Sequence, residues 1–352
     1  YQTLPISESD WASVPPAAWS LIGTSWMQSA TNNAGGTAPE LKFNSTGAVA
    51  QDKMILPPVN TAGMSAITIC FKSHFNAGLS GASIQVQTSS DKENWTSTSW
   101  YRSSSGGNIT DDVRLTITSG LGGTMYLAFN TFGTPANMNY WNIDDVQVYE
   151  PTLASVSEAT ITALYGEYVT AQATVLSDGG TDATHRGFCW NTTGNPTTAN
   201  NIFYTITSSA TYSLNISGLT PGTTYYIRPY VINALGTSYG DQISFTTIDY
   251  AEVSTTAISN IGLTSAQSGG TILSDGNGSI LYRGVCWNTT GSPTAYDYST
   301  DNGSGDGSFT SNLTSLTAGQ TYYVRAWVYN QAGYAYGDEK SFTRLSMPVV
   351  TT

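Results

Sequence analysis

The sequence predicts an all-β chain of three consecutive sandwiches, and three observations lead there. The segment "HRGFCWNTTGNPT" from His185 returns as "YRGVCWNTTGSPT" from Tyr282. The offset of 97 residues between Arg186 and Arg283 also carries Cys189 to Cys286, Trp190 to Trp287, Tyr225 to Tyr322, Arg228 to Arg325, Tyr239 to Tyr336 and Phe245 to Phe342. A period of that length exceeds a solenoid unit and suits one whole sandwich. Within the repeats, "TYYIRPYVIN" and "TYYVRAWVYN" alternate with period two between turn residues, as strands do. No segment carries a helical period, and only 10% of residues are charged, where about a quarter is usual.

A chain of 352 residues suits two or three domains, each large enough to bury a core. The net charge of −12 comes from 24 acids against only 12 Lys and Arg, and no basic cluster is present to neutralise phosphates. Nucleic acid is therefore not an expected partner. No apolar run reaches the roughly 18 residues that span a bilayer. The chain begins at Tyr1 without a basic, apolar leader, so the expectation is a mature secreted chain, extracellular or on a cell surface. Cys70, Cys189 and Cys286 are an odd set, and two of them hold equivalent positions of separate repeats, beyond the roughly 7 Å that a bridge can span. Buried free thiols are expected there.

Residues 1–150 lie outside the repeat but also read as short strands between Gly, Pro, Asn and Ser clusters. The clearest are "AITICFKSHF", "ASIQVQTSS", "VRLTITSG", "TMYLAFNTF" and "WNIDDVQVYE". The order "AGGTAPELKF", "MILPPVNTAGMSAITICF", "IQVQTSSDKENWTSTSW", "YWNIDDVQVYE" resembles the jelly-roll domains of the cleaved-adhesin and MAM-like group, found on secreted bacterial adhesins and proteases. That resemblance implies a structural calcium with acidic ligands at Glu40 and at Asp144 or Asp145. Adjacent aspartates on a strand point to opposite faces, so at most one enters a given site. Calcium takes six to eight oxygens, and the competing reading is of solvated acids at strand ends. The same alternation argues against a glycosidase pair, whose carboxyls must flank one bond.

The first repeat covers 151–248 and the second 249–352, with short joins near Glu150–Pro151 and Thr247–Tyr250. In the first, Tyr225, Ile227 and Val231 share one face of a strand; Tyr226, Arg228, Tyr230 and Ile232 share the other. Just upstream, "LTPGTTY" ending at Tyr225 resembles the tyrosine corner of fibronectin type III domains, and the second copy reads "LTAGQTY" without the Pro. The wider pattern of "SDGG", "RGFCW", "NPT", "GLTPGTTYYIRPYVIN" and "YGDQISFTT" resembles the fibronectin type III-like, Ig-like modules of Bacteroidota surface proteins. The resemblance implies that the Cys-Trp stretch is framework. Tyr226, Arg228 and Tyr230, with Tyr323, Arg325, Trp327 and Tyr329, form a candidate interaction surface, because aromatic and Arg side chains in a row can stack on sugar rings or meet a protein. Equally, such rows can brace neighbouring strands.

Catalytic groups are scarce. "GTSYG", Gly236 to Gly240, matches the nucleophile-elbow pattern, but no His follows His185 and the second repeat reads "GYAYG". His74 and His185 fall in different domains without a neighbouring Cys or Glu at metal-ligand spacing. The "DYSTDNGSGDGS" loop lacks the alternate oxygen ligands of a calcium hand. The expected function is thus that of a non-catalytic secreted bacterial surface protein, structural or adhesive, self-assembling into an extracellular filament or surface array. Its competitor is the carbohydrate-binding and spacer portion of a larger secreted hydrolase or adhesin. The expected partners are further copies, glycans or a cell-surface protein.

Overall fold

The computed structural model describes residues 4–44, 52–103 and 106–345, and among these the regular structure is β apart from one short helical turn at Pro135–Asn137. Up to Tyr149 the strands form two six-stranded sheets. One runs in the order Gly107–Ile117, Ile67–Ala77, Met138–Tyr149, Glu40–Asn44, Trp26–Ser29, with Ile6–Glu8 added to Met138–Tyr149. The other runs Ser20–Ile22, Lys53–Ile55, Thr124–Gly133, Ala82–Ser89, Thr96–Ser103, with Val59–Asn60 added to Thr124–Gly133. Alternation decides what lies between them. Phe43, Phe71 and Trp141 point in from the first sheet, and Trp100 and Phe129 from the second. Trp141 is central, with ring centroids 5.6 Å from Trp26, 5.7 Å from Phe129 and 6.2 Å from Trp100. Edge-on and offset ring packing of this kind fills a sandwich core without voids.

The first repeat supplies a four-stranded sheet (Ser155–Val156, Thr160–Leu164, Tyr168–Ser177, Thr211–Ser217) and a five-stranded one (His185–Asn191, Asn201–Thr205, Thr224–Asn233, Gly236–Tyr239, Ile243–Thr246). The second repeat copies this with three strands (Glu252–Thr255, Ala266–Ser274, Ser308–Leu313) and five (Tyr282–Asn288, Tyr298–Ser299, Thr321–Asn330, Gly333–Tyr336, Lys340–Thr343). Tyr225 and Tyr322 are buried, and their hydroxyls accept hydrogen bonds from the Thr220 and Thr317 amides at 3.0 and 2.9 Å. Each closes its loop onto its strand, so the corner survives loss of the Pro in the second copy.

By internal contacts the chain divides into two compact units. Residues 1–155 with 176–185 and 231–238 form the first, and 156–175, 186–230 and 239–352 the second. The division differs from the sequence boundaries because part of the first repeat is bonded to the first sandwich. Arg114 pairs with Asp178, the Tyr149 hydroxyl donates to the Gly180 carbonyl at 3.1 Å, and Asn233 Nδ2 donates to the Thr152 carbonyl at 2.8 Å.

Gly187 and Gly284, equivalent under the repeat, explain why the next strand can lie so close. A Cβ at Gly187 would stand 2.2 Å from the Phe203 carbonyl oxygen, and one at Gly284 1.9 Å from that of Thr300. Alanine at either position should cost roughly 1–3 kcal/mol through overpacking against backbone. Tyr322→Phe strands the Thr317 amide and should cost about 1–3 kcal/mol. Urea unfolding of the three variants, followed by tryptophan fluorescence and circular dichroism, checks both expectations.

Candidate functional site

The strand faces singled out by the sequence turn out to be partly interior. Tyr226 and Arg228 are half-buried, but Tyr230 is only 1% exposed, and burial pushes its hydroxyl pKa up to about 12. In the second repeat Tyr323, Arg325 and Tyr329 are half-buried and Trp327 is 6% exposed. Tyr230 and Trp327 are therefore withdrawn from the interaction surface: neighbouring rings cover them, Tyr239 at 6.4 Å from Tyr230 and Tyr334 at 5.9 Å from Trp327. The two arginines share one geometry. Arg228 Nε donates to the Gly240 carbonyl at 3.1 Å with its guanidinium 4.8 Å from the Tyr239 ring centroid. Arg325 Nε donates to the Gly337 carbonyl at 2.9 Å and lies 4.8 Å from the Tyr336 ring. Repetition of the same brace in both modules assigns these residues to strand-to-strand cohesion.

A different set of rings faces outward on the second repeat. Tyr282, Tyr296, Tyr298 and Tyr334 are exposed, Tyr296 at 84%. Tyr334 is the hub, with centroids 4.7 Å from Tyr329, 5.7 Å from Tyr296, 5.9 Å from Trp327 and 6.3 Å from Tyr336. Tyr282 adds to the edge at 6.3 Å from Tyr329. The polar side chains of Asn288, Thr289 and Asp297 line a surface depression with Tyr296 and Tyr298. Asp297 is held as an anion: hydrogen bonds from the Thr294 amide and hydroxyl pull its carboxyl below the usual range, against the opposing effect of burial. Flat π faces beside hydrogen-bonding groups are the arrangement that stacks on a pyranose ring. In the first repeat the equivalents of Tyr282, Tyr296, Tyr298, Tyr329 and Tyr334 are His185, Ala199, Asn201, Ile232 and Thr237. The signal was present in the aligned repeats, in the positions where they differ.

Glu40 and Asp144 meet beneath the segment 31–36, on the side of their sheet away from the aromatic core. Both are buried, and burial raises the Asp144 pKa, opposed by the Asp145 amide and the Trp11 indole, with the charges of Asp145 and Glu40 adding to the rise. Glu40 is well supplied with donors: the Asn33 and Ala34 amides at 3.0 and 2.8 Å, the Thr31 hydroxyl and Asn142 Nδ2. Asp144 Oδ1 accepts from Trp11 Nε1 at 3.1 Å, whereas Asp144 Oδ2 and Asn142 Oδ1 are buried without a protein partner. Gly36 makes the room, since a Cβ there would stand 1.9 Å from Asp144 Oδ2. Two orphaned buried oxygens beside a second carboxylate fit a hard cation. Asp145 does not join them; it faces out and pairs with Lys72 at 2.8 Å. Among the described residues no three His, Cys, Asp or Glu side chains converge.

Ser238 of "GTSYG" sits on a strand, and its hydroxyl donates to the Ala154 carbonyl. The Asp297–Ser308 stretch is a loop apart from Tyr298–Ser299 and the start of a strand at Ser308.

No family model matches the chain, and no curated protein matches it. Among solved structures, three domains of titin (A168–A170) are 16% identical over 80% of this chain and 100% of that one, with a TM-score of 0.31. The FN1–FN3 domains of chicken CNTN1 are 11% identical over 78% and 98%, with a TM-score of 0.29. TmCBM61, solved with β-1,4-galactotriose, is 14% identical over 38% and 89%, with a TM-score of 0.30. At such scores the functional case rests on this chain's own side chains.

Cys189 and Cys286 are buried free thiols whose hydrogens point at the Arg228 and Arg325 carbonyls at 3.5 and 3.4 Å. Burial pushes their pKa values up to about 11 and about 12. At pH 8 both should stay unlabelled by a thiol reagent in the folded protein and react on denaturation, with Cys70 the fast site. The stability linked to these thiols is present below the unfolded pKa near 9.0 and is lost as pH rises through about 11 to 12. Mass spectrometry of labelled peptides identifies the sites.

Proposed function

We propose that the chain is a non-catalytic extracellular adhesive protein, part of a bacterial surface, whose last sandwich binds glycan and whose other modules present it. The observation that carries this reading is the exposed cluster of Tyr282, Tyr296 and Tyr334 around Tyr329, which the repeat's framework does not require and the first repeat lacks. The resemblance of residues 1–150 to the cleaved-adhesin group, and of the repeats to Bacteroidota modules, supports the setting. The domains proposed are 1–150, 151–248 and 249–352. Among the described residues no helix is long and apolar enough to cross a membrane. Net charge of −12 disfavours nucleic acid as partner. Self-assembly into a filament or surface array remains part of this proposal and would need two complementary interfaces that do not close on each other.

A glycan array followed by calorimetry tests the reading. Tyr334→Ala and Tyr296→Ala should each weaken binding up to about tenfold, the weight of one stacked ring, with Tyr296→Ala leaving the melting temperature unchanged. Absence of any glycan ligand, or binding by both variants as tight as the wild type's, would sink the proposal.

The first sandwich is proposed to hold a structural calcium through Asp144 and Asn142 with Glu40 beside them; the ion would neutralise two buried carboxylates. Calcium should raise the melting temperature of the wild type and of Asp145→Asn, but not of Asp144→Asn. In the cation-free protein, the stability linked to Asp144 is present below the usual carboxylate pKa and is lost as pH rises through its raised value. Calcium displaces that proton, so its stabilising effect should grow with pH, as read by calorimetry with calcium and with a chelator.

A further inference from the structure

The strand Asn201–Thr205 ends its five-stranded sheet. On one side it pairs with His185–Asn191, Cys189 opposite Ile202 and Phe188 opposite Phe203. Directly opposed residues share a face, so Ile202 and Phe203 carry apolar surface on both faces of the strand, and both are exposed. Ile206, just beyond, is 76% exposed. Sheet edges are usually guarded by charge, Pro, Gly or a bulge. Here no charged residue stands between Arg186 and Arg228, and neither Pro nor Gly between Pro196 and Gly218.

The second repeat guards the same edge. Its strand shrinks to Tyr298–Ser299 and is followed by Asp301, Gly303, Gly305, Asp306 and Gly307, the three glycines at φ of 75°, 91° and 87°. Both repeats keep the glycine, Gly187 or Gly284, over which this edge passes. The framework therefore permits a guarded edge, and the first repeat does without one.

We propose that Asn201–Thr205 is a self-association edge, pairing antiparallel with its own copy about a two-fold axis at Phe203. That register sets Phe203 opposite Phe203, Ile202 opposite Tyr204 and Asn201 opposite Thr205, and joins two five-stranded sheets into one. A second copy is the occupant because the two-fold register matches apolar with apolar, exposed Phe203 on Phe203 and exposed Ile202 on exposed Tyr204, and no charged residue stands on the strand to add a like-charge contact to the general repulsion between copies of net charge −12. A symmetric edge also supplies its own complement. The contact closes on itself, so it yields a dimer and not a filament. It stands independently of the glycan reading, since it uses a different module.

Sedimentation velocity of the full chain over a concentration series tests it. The wild type should dimerise reversibly. Phe203→Glu and Phe203→Lys should each weaken the dimer at least about tenfold by setting like charges face to face. Mixed together, the two variants should recover association as heterodimers, which a folding defect could not produce. A wild type that stays monomeric throughout, a dimer indifferent to both substitutions, or a mixture that fails to recover would each overturn the proposal. Glycan affinity of the monomeric variants should be unchanged, so failure here leaves the other reading intact and the reverse.

Discussion

Period-two burial is the constraint on which the structure depends. A strand in a two-sheet sandwich gives alternate residues to the core and returns the rest to the surface. In the first sandwich that rule concentrates Phe71, Trp100, Phe129 and Trp141 in one contact network between the sheets. What remains for function is the outer face of each sheet, its edges and the loops at its ends. The proposed glycan site of the second repeat lies on a face, the proposed self-association strand Asn201–Thr205 on an edge, and the Glu40–Asp144 pair on a face covered by a loop.

Much of this was legible in the sequence because the fold writes itself in local patterns. The repeat at 97 residues, the alternating strands and the "LTPGTTY" corner required only neighbouring residues, and the corner hydrogen bonds from Thr220 and Thr317 follow from them. The side chains facing outward were harder. Alternation alone puts Tyr226, Arg228 and Tyr230 on one face, yet Tyr230 is enclosed while Tyr226 is half-buried. Which outer-face residue is covered depends on the strand beside it and on local twist, both set by pairing that a single strand's sequence does not contain.

The acidic pair shows the same limit from the other side. Alternation correctly separates Asp144 from Asp145, but the ladder to Ile67–Ala77 is irregular between Asp144 and Gln147, and Asp145 adopts a left-handed φ of 50°. Lys72, on the neighbouring strand, then takes Asp145 as its partner. Asn142, whose side chain bonds Glu40 and leaves its own oxygen buried, carried no mark in the sequence, because Asn in a strand is unremarkable until its neighbours are known. It lies beside Asp144 because residues two apart on a strand share a face.

The two repeats are most informative where they disagree. Positions under shared structural demand keep their chemistry: Gly187 with Gly284, Tyr225 with Tyr322, Arg228 with Arg325. At solvent-facing positions the second repeat gains a ring cluster where the first has His185, Ala199 and Thr237, and the first repeat keeps an apolar edge where the second breaks into Asp and Gly. Neither difference is needed for folding, since each module folds with the alternative. An exposed tyrosine cluster and an unguarded strand both carry a cost in solubility, because each offers apolar surface to any passing chain. Distributing them to separate modules keeps that cost from compounding at one place: the module that exposes rings has a blunted edge, and the module that exposes an edge has His185, Ala199 and Thr237 where the rings would be.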